Sequence, residues 1–183
     1  DDYQNWGFKK SSITNRWKLE GIKDLPYSSF YKDENNDFKV VPGSQISREA
    51  VLIYDSQREP SPRPHFLKYW LNDSFGNVSA LVDHNGMCHG FGRIRPCKLQ
   101  NNNQGWRIGP LLADTPPLAE LLIRKLVSNL EAEILLDCSN LNPYANYLLS
   151  SMGFKEMSKT YRMYKGIQPS CPMNQVYGLA CLE

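Results

Sequence analysis

The sequence predicts a mixed α/β domain, a central and mostly antiparallel sheet flanked by helices, and three observations carry this. Strand-like and helix-like segments follow one another in the order βααββ and then βαβαββ. Asn85-Gly86 separates two runs of strand character, the pairing that suits a tight turn needing positive φ. The consecutive apolar residues Ile134, Leu135 and Leu136 have the composition of a strand buried on both faces. With 183 residues, 41% of them hydrophobic, the chain can bury a sizeable core.

In chain order, Phe38 to Val41 is a short strand ended by Pro42-Gly43. Ser47 caps a helix carrying Ala50, Val51, Ile53 and Tyr54, and the stretch from Pro60 to Pro64 breaks it. A second helix presents Phe66, Leu67, Trp70 and Leu71 at the spacing of one buried face. Asn77 to Val82 and Met87 to Ile94 form a β-hairpin. A polar loop leads to a strand from Trp106 to Leu112. Thr115 followed by Pro116 starts a helix that runs to about Leu130, because the hydroxyl caps and the proline presets φ. Glu133 to Asp137 is the buried strand. Asn142-Pro143 opens a helix that stops at Gly153, and Phe154 to Tyr164 and Val176 to Leu182 are the closing strands.

Composition excludes several classes of partner. Lys and Arg total 21 against 19 Asp and Glu, a net charge of +2, which with the lack of a basic, aromatic-rich stripe disfavours a nucleic-acid reader. The apolar runs fall far short of the roughly 20 residues that cross a bilayer. The opening residues lack a secretory signal. Five cysteines with no close C-x-x-C pair point to reduced thiols in the cytoplasm. His84, Cys88 and His89 cluster around the hairpin but match no zinc spacing, so no metal site is expected. His65, at a helix start, is structural or exposed.

The chain also repeats itself. Gly7 to Trp17 aligns with Gly153 to Met163 at a constant offset of 146, matching Gly7/Gly153, Phe8/Phe154, Lys9/Lys155, Ser12/Ser158, Thr14/Thr160 and Arg16/Arg162. That offset is about one domain length. Residues 1–24 are therefore expected to be the C-terminal remnant of an upstream domain, residues 25–37 a linker, and residues 38–183 the domain proper. The apolar side chains of Phe8, Ile13, Trp17 and Leu19 predict that the remnant pairs with this sheet or with another copy.

The element order, together with Asn142-Pro-Tyr-Ala-Asn-Tyr-Leu-Leu-Ser-Ser-Met-Gly-Phe154, resembles the GNAT family of acyl-CoA N-acyltransferases. The latter looks like that family's N-x-x-A-x-x-x-Y-x-x-x-G-F segment. Gly90 to Cys97, Arg107 to Asp114 and Tyr161 to Gly166 are similar to the C-terminal half of two-domain members. The resemblance implies that the strand Trp106 to Leu112 splays from its neighbour and grips the pantetheine arm of acetyl-CoA. Ile108, Gly109, Leu111, Leu112, Ala113, Thr115 and Asn142 would bind the cofactor, with the pyrophosphate at the next helix N-terminus. The stretch there departs from the family loop: it has no glycine, Pro116 and Pro117 supply no N–H, and Asp114 puts an anion where a phosphate would lie. Arg124 or Lys125 could compensate, or could be solvated helix-face charges.

The family's tyrosine, which protonates the leaving thiolate, falls at Leu149, whereas the remnant has Tyr3 at the equivalent position. Tyr147 and Asp137 are the substitute candidates for acid and base, with His89 a further conceivable base. Arg93, Arg95 and Arg107 could bind an anionic acceptor or cofactor phosphate, or form surface ion pairs. Two functions follow from the resemblance. One is acetyl transfer from acetyl-CoA to a primary amine of a small molecule or peptide. The other is a catalytically inactive domain that packs on an upstream GNAT-like domain, completing its substrate cleft or holding a homodimer.

Overall fold

The computed structural model describes residues 2–20, 25–31, 37–59, 61–99 and 103–180. A single helical turn, α1 (Asp2–Asn5), leads into the long strand β1 (Lys9–Leu19). Next come β2 (Lys39–Pro42), α2 (Arg48–Ser56) and α3 (Pro64–Asn72). The hairpin strands β3 (Asn77–Val82) and β4 (Cys88–Lys98) precede β5 (Gln104–Ala113). Then follow α4 (Pro116–Val127), β6 (Ile134–Ser139), α5 (Ala145–Ser151), β7 (Lys155–Tyr164) and β8 (Val176–Gly178).

The strands form one sheet in the order β2-β3-β4-β5-β6-β1-β7, with β8 paired to β5 off this path. Among the described strands only β5 and β6 run parallel. The mostly antiparallel mixed sheet expected from the sequence is therefore present. The N-terminal strand β1 lies inside it, antiparallel to both β6 and β7, as the apolar side chains of that segment predicted.

Two apolar cores cover the two faces. Leu122, Ile123 and Leu126 of α4 pack with Leu148 and Leu149 of α5 and Met152 at its C-terminal end on one side. Val51 and Tyr54 of α2 and Leu67 of α3 pack with Phe91 and Leu112 on the other. The adjacent residues Leu111 and Leu112 point into opposite cores, as the two-residue period of a strand requires. Every residue of β6 is buried, which explains its unbroken apolar sequence.

Several local expectations differ from the structure. The Asn85-Gly86 hairpin is not a two-residue turn. Residues 83–87 form the loop, only Gly86 has positive φ (78°), and the Asp83 carboxylate accepts the N–H groups of Asn85 and Met87. Of the four residues predicted as one buried face of α3, only Leu67 is fully buried. Phe66 instead stacks on Trp70 with ring centroids 5.2 Å apart. Helix α4 ends at Val127, before Leu130, because Asn129 adopts a left-handed conformation (φ 69°).

Residues 25–31, expected to be linker, lie against α4. The Glu120 carboxylate accepts from the backbone N–H and hydroxyl of Ser28, and Arg124 donates to the carbonyls of Leu25 and Pro26. Residues 32–36, the charged part of that segment, lie outside the described residues, as do Cys181 and Leu182 at the end of the last predicted strand.

Candidate functional site

The parallel pairing of β5 and β6 is short. It holds from Trp106↔Ile134 to Ile108↔Leu136. Beyond Ile108 a wedge opens, and β8 occupies it. Leu111 pairs with Gly178 and Leu112 with Val176. On the other side, the Leu179 N–H donates to the Asp137 carbonyl at 2.8 Å. A Cβ placed on Gly109 would lie 2.0 Å from the Leu179 carbonyl oxygen, so glycine is required at that point of β5 by the approach of the C-terminal chain. Val176 and Tyr177 are buried in the two opposite cores, at 3% and 1% exposure, which seals the inserted strand from both faces.

This wedge is where the resemblance placed the pantetheine arm. Of the residues expected to hold it, Ile108 ends the parallel pairing, and the Gly109 carbonyl accepts a hydrogen bond from the Trp70 indole at 3.3 Å. Leu111 and Leu112 give their free edge to β8, and Ala113 is buried opposite Gly90 of β4.

Asn142 is fully buried and holds the inserted strand. Its Nδ2 donates to the carbonyls of Asn174 and Val176, at 3.3 and 3.0 Å. Its Oδ1 accepts from the N–H groups of Tyr144 and Ala145, at 2.9 and 3.1 Å, and so caps the start of α5. One side chain thus joins the α5 N-terminus to β8.

The start of α4 is also occupied from within. Asp114 Oδ1 accepts from the Tyr54 hydroxyl at 2.7 Å and from Arg58 Nη2 at 2.6 Å, while Oδ2 lies 2.8 Å from His89 Nδ1. The second ring nitrogen of His89 lies 3.4 Å from Asp83. Burial, with the neighbouring Asp114 carboxylate, pushes the Tyr54 phenol well above its ordinary range. Thr115 sits at the N-cap position but makes no side-chain cap, and Pro116 begins the helix. An internal carboxylate, matched by the Arg58 cation, therefore stands at the helix start where the resemblance implied a phosphate. Arg124 is engaged by Glu120 and by residues 25–31, and Lys125 is exposed.

The predicted catalytic residues are engaged separately. Leu149 is 1% exposed within the α4–α5 core. Tyr147 is 55% exposed, its hydroxyl accepts from Ser29 Oγ at 3.2 Å, and its ring lies edge-on to Phe30. The buried Asp137 carboxylate accepts a bidentate pair of bonds from Arg16 at 2.8 and 3.1 Å, with Arg107 at 3.9 Å. Both oxygens of this carboxylate are thus taken by charge-assisted bonds to Arg16. Arg93 is buried, bonds Asp73 at 2.8 Å and lies 4.7 Å from the Trp70 ring centroid. No group of three His, Cys, Asp or Glu suited to a metal ion occurs among the described residues.

Sequence reasoning did not find the partners of Asp114. Tyr54 reads as a helix-face residue and Arg58 carries no signal, since nothing in the linear sequence links them to residue 114. It likewise missed Asn146, whose Oδ1 accepts from Asn15 at 3.0 Å and Trp17 at 3.3 Å, tying α5 to β1.

A sheet that splays after one parallel pair, with a helix after its central strand, defines an acyltransferase-type α/β domain. A family profile described as Acetyltransferase (GNAT) domain matches residues 51–178, and the chain belongs to that family. It is 24% identical over 137 residues to holothin acyltransferase of Pseudoalteromonas sp. (strain SANK 73390), covering 74% of this chain and 45% of that protein. A candidate acetyltransferase of Pyrococcus horikoshii superposes with a TM-score of 0.69 at 22% identity, over 98% of this chain and 54% of the other. A GCN5-related N-acetyltransferase of Sphaerobacter thermophilus gives a TM-score of 0.59 at 11% identity, over 86% and 52%. The chain spans about half the length of each of these proteins.

Proposed function

We propose that this domain is the accessory half of a two-domain N-acyltransferase, one that leaves acyl-CoA to a companion GNAT domain and completes that domain's substrate cleft. The observation that carries this reading is β8 in the wedge between β5 and β6. GNAT acetyltransferases use acyl-CoA, and the residues present here do not fit it. The strand edge that would bond the pantetheine is already paired, the first helical turn of α4 carries two prolines, and Asp114 fills the anion position. Burying Val176 stabilises β8 in place by about 1.5–3 kcal/mol, while the gain from the Tyr177 ring is offset in part by its buried hydroxyl, which has no partner among the described residues. The reaction of the whole protein is acyl transfer to a primary amine of a small molecule or peptide, a reading supported by the family match and by a relative named for acyl transfer. No described helix is long and apolar enough to cross a membrane, and the free thiols fit a reducing, cytoplasmic setting.

A second reading, acetyl transfer from acetyl-CoA on this domain itself, is favoured by the profile match over residues 51–178. It requires β8 to leave the wedge. The two are separated by following release of free CoA thiol from acetyl-CoA with a panel of primary amines. The accessory reading expects no release above the buffer rate from this chain. Amine-dependent turnover by the isolated chain would replace it with the second.

A further inference from the structure

β1 and β7 pair about a local two-fold axis. Thr14 lies directly opposite Thr160, and these two residues are separated by the repeat offset of 146. Exchanging each residue for its repeat equivalent turns Ile13↔Tyr161 into Asn15↔Lys159, Ser12↔Arg162 into Arg16↔Ser158, and Lys9↔Tyr164 into Lys18↔Lys155, all of them observed pairs. The two register shifts exchange as well: Ser11 is the extra residue in one, and its equivalent Met157 in the other. The repeat is therefore expressed in the pairing itself.

The surroundings of the two strands break this symmetry. The second edge of β1 pairs with β6, whereas the second edge of β7 meets no described strand. Ser12 and Thr14 are buried, while the identical residues Ser158 and Thr160 are exposed. Arg16 is bound by Asp137 of β6, while its equivalent Arg162 is exposed and forms no salt bridge among the described residues. The preceding helices differ in the same sense. Leu149 and Met152 of the α5 turn are buried at 1% and 0%, but their equivalents Tyr3 and Trp6 at α1 are 59% and 62% exposed. One half of a symmetric arrangement is covered and the other half lacks its cover.

We propose that the free edge of β7 is an interaction surface for the β6-equivalent strand of an upstream copy of this fold, making one sheet continuous through both copies with its two-fold axis at Thr14 and Thr160. In that arrangement α1 packs on the upstream copy as α5 packs here, and Arg162 meets that copy's equivalent of Asp137. A second copy of this same chain does not serve, because both edges of its β6 are already taken by β5 and β1. The proposal rests on the companion copy of the preceding reading, and relatives about twice as long are in keeping with it.

The test compares hydrogen exchange in this chain with that in the protein carrying the proposed upstream copy. Amides of β7 are expected to exchange at least about a hundredfold more slowly in the longer protein, with Trp6 becoming shielded from an aqueous quencher. Arg162→Glu is expected to lower the melting temperature of the longer protein by about 2–4 °C and that of this chain by less than about 1 °C. Equal exchange of β7 in both proteins, a β7-to-β7 homodimer of this chain, or a gene with no such copy upstream would overturn the proposal. Acetyl-CoA turnover by this chain alone would remove the accessory reading and leave the β7 seam standing.

Discussion

The Leu179 N–H donates to the Asp137 carbonyl at 2.8 Å, so the chain just beyond β8 supplies a backbone partner to β6 where β6 parts from β5. In an open wedge that carbonyl and the free edge of Leu111 and Leu112 would need partners from solvent or from a ligand. Here the protein's own C-terminal segment supplies them.

Asn142 is the clearest single test of how β8 is held. Asn142→Ala removes two donated bonds to the β8 region and two accepted bonds at the start of α5, made by a side chain that is itself fully buried. A loss of about 2–4 kcal/mol in urea unfolding is expected. Faster hydrogen exchange across residues 174–179 should accompany it. A change below about 0.5 kcal/mol would mean that the side-chain bonds contribute little.

Asp114 tests the anion position. Asp114→Ala leaves the Arg58 guanidinium, only 10% exposed at its side chain, without its carboxylate. The expected cost is about 2–3 kcal/mol, discounted from a fully buried pair because the Asp114 side chain is 27% exposed. On the accessory reading, removing this anion does not create acetyl-CoA affinity, because β8 still fills the wedge between β5 and β6. Affinity gained by this change would identify Asp114 as the real obstacle.

Leu149→Tyr restores the family residue by sequence. The side chain it replaces is 1% exposed among Leu148, Met152 and the α4 residues, so the larger ring overpacks the core. A destabilisation of about 1–3 kcal/mol with no rise in CoA release is expected. Increased turnover would show that position 149 faces a working site.

The sequence showed the element order, the buried β6, the helix starting after Thr115 and the repeat. Each of these is written locally, in a period, a proline at a helix start or a matching segment, although Thr115 itself makes no side-chain cap. The pairing of β1 followed from too much apolar surface on Phe8, Ile13, Trp17 and Leu19. What the sequence could not show is which gap the last strand enters. Val176 and Tyr177 have strand character wherever they lie, and the place of β8 is fixed by contacts with Leu111, Leu112 and Asn142, far away along the chain. The Asp114 cluster is half legible: an anion at a helix start stands out in the sequence, but its partners come from α2 and the residues just after it, some sixty positions earlier.

The buried thiols give a pH prediction. Burial pushes Cys88 up to about 11 and Cys138 up to about 12. These thiols stay protonated in the folded chain while the unfolded chain ionises near its ordinary value, so the unfolded state is favoured as pH rises. Stability should hold below about pH 8.5 and fall from about pH 9 towards 12. Denaturant unfolding at stepped pH, beside a Cys88→Ala, Cys138→Ala variant with a flatter profile, checks this.

The most direct test of the filled wedge is a calorimetric titration of the chain with acetyl-CoA, with desulfo-CoA as a non-acylating control. No binding heat up to about millimolar ligand is the predicted result. A saturable isotherm near micromolar Kd would contradict it, because β8 would then have to yield the wedge to the cofactor.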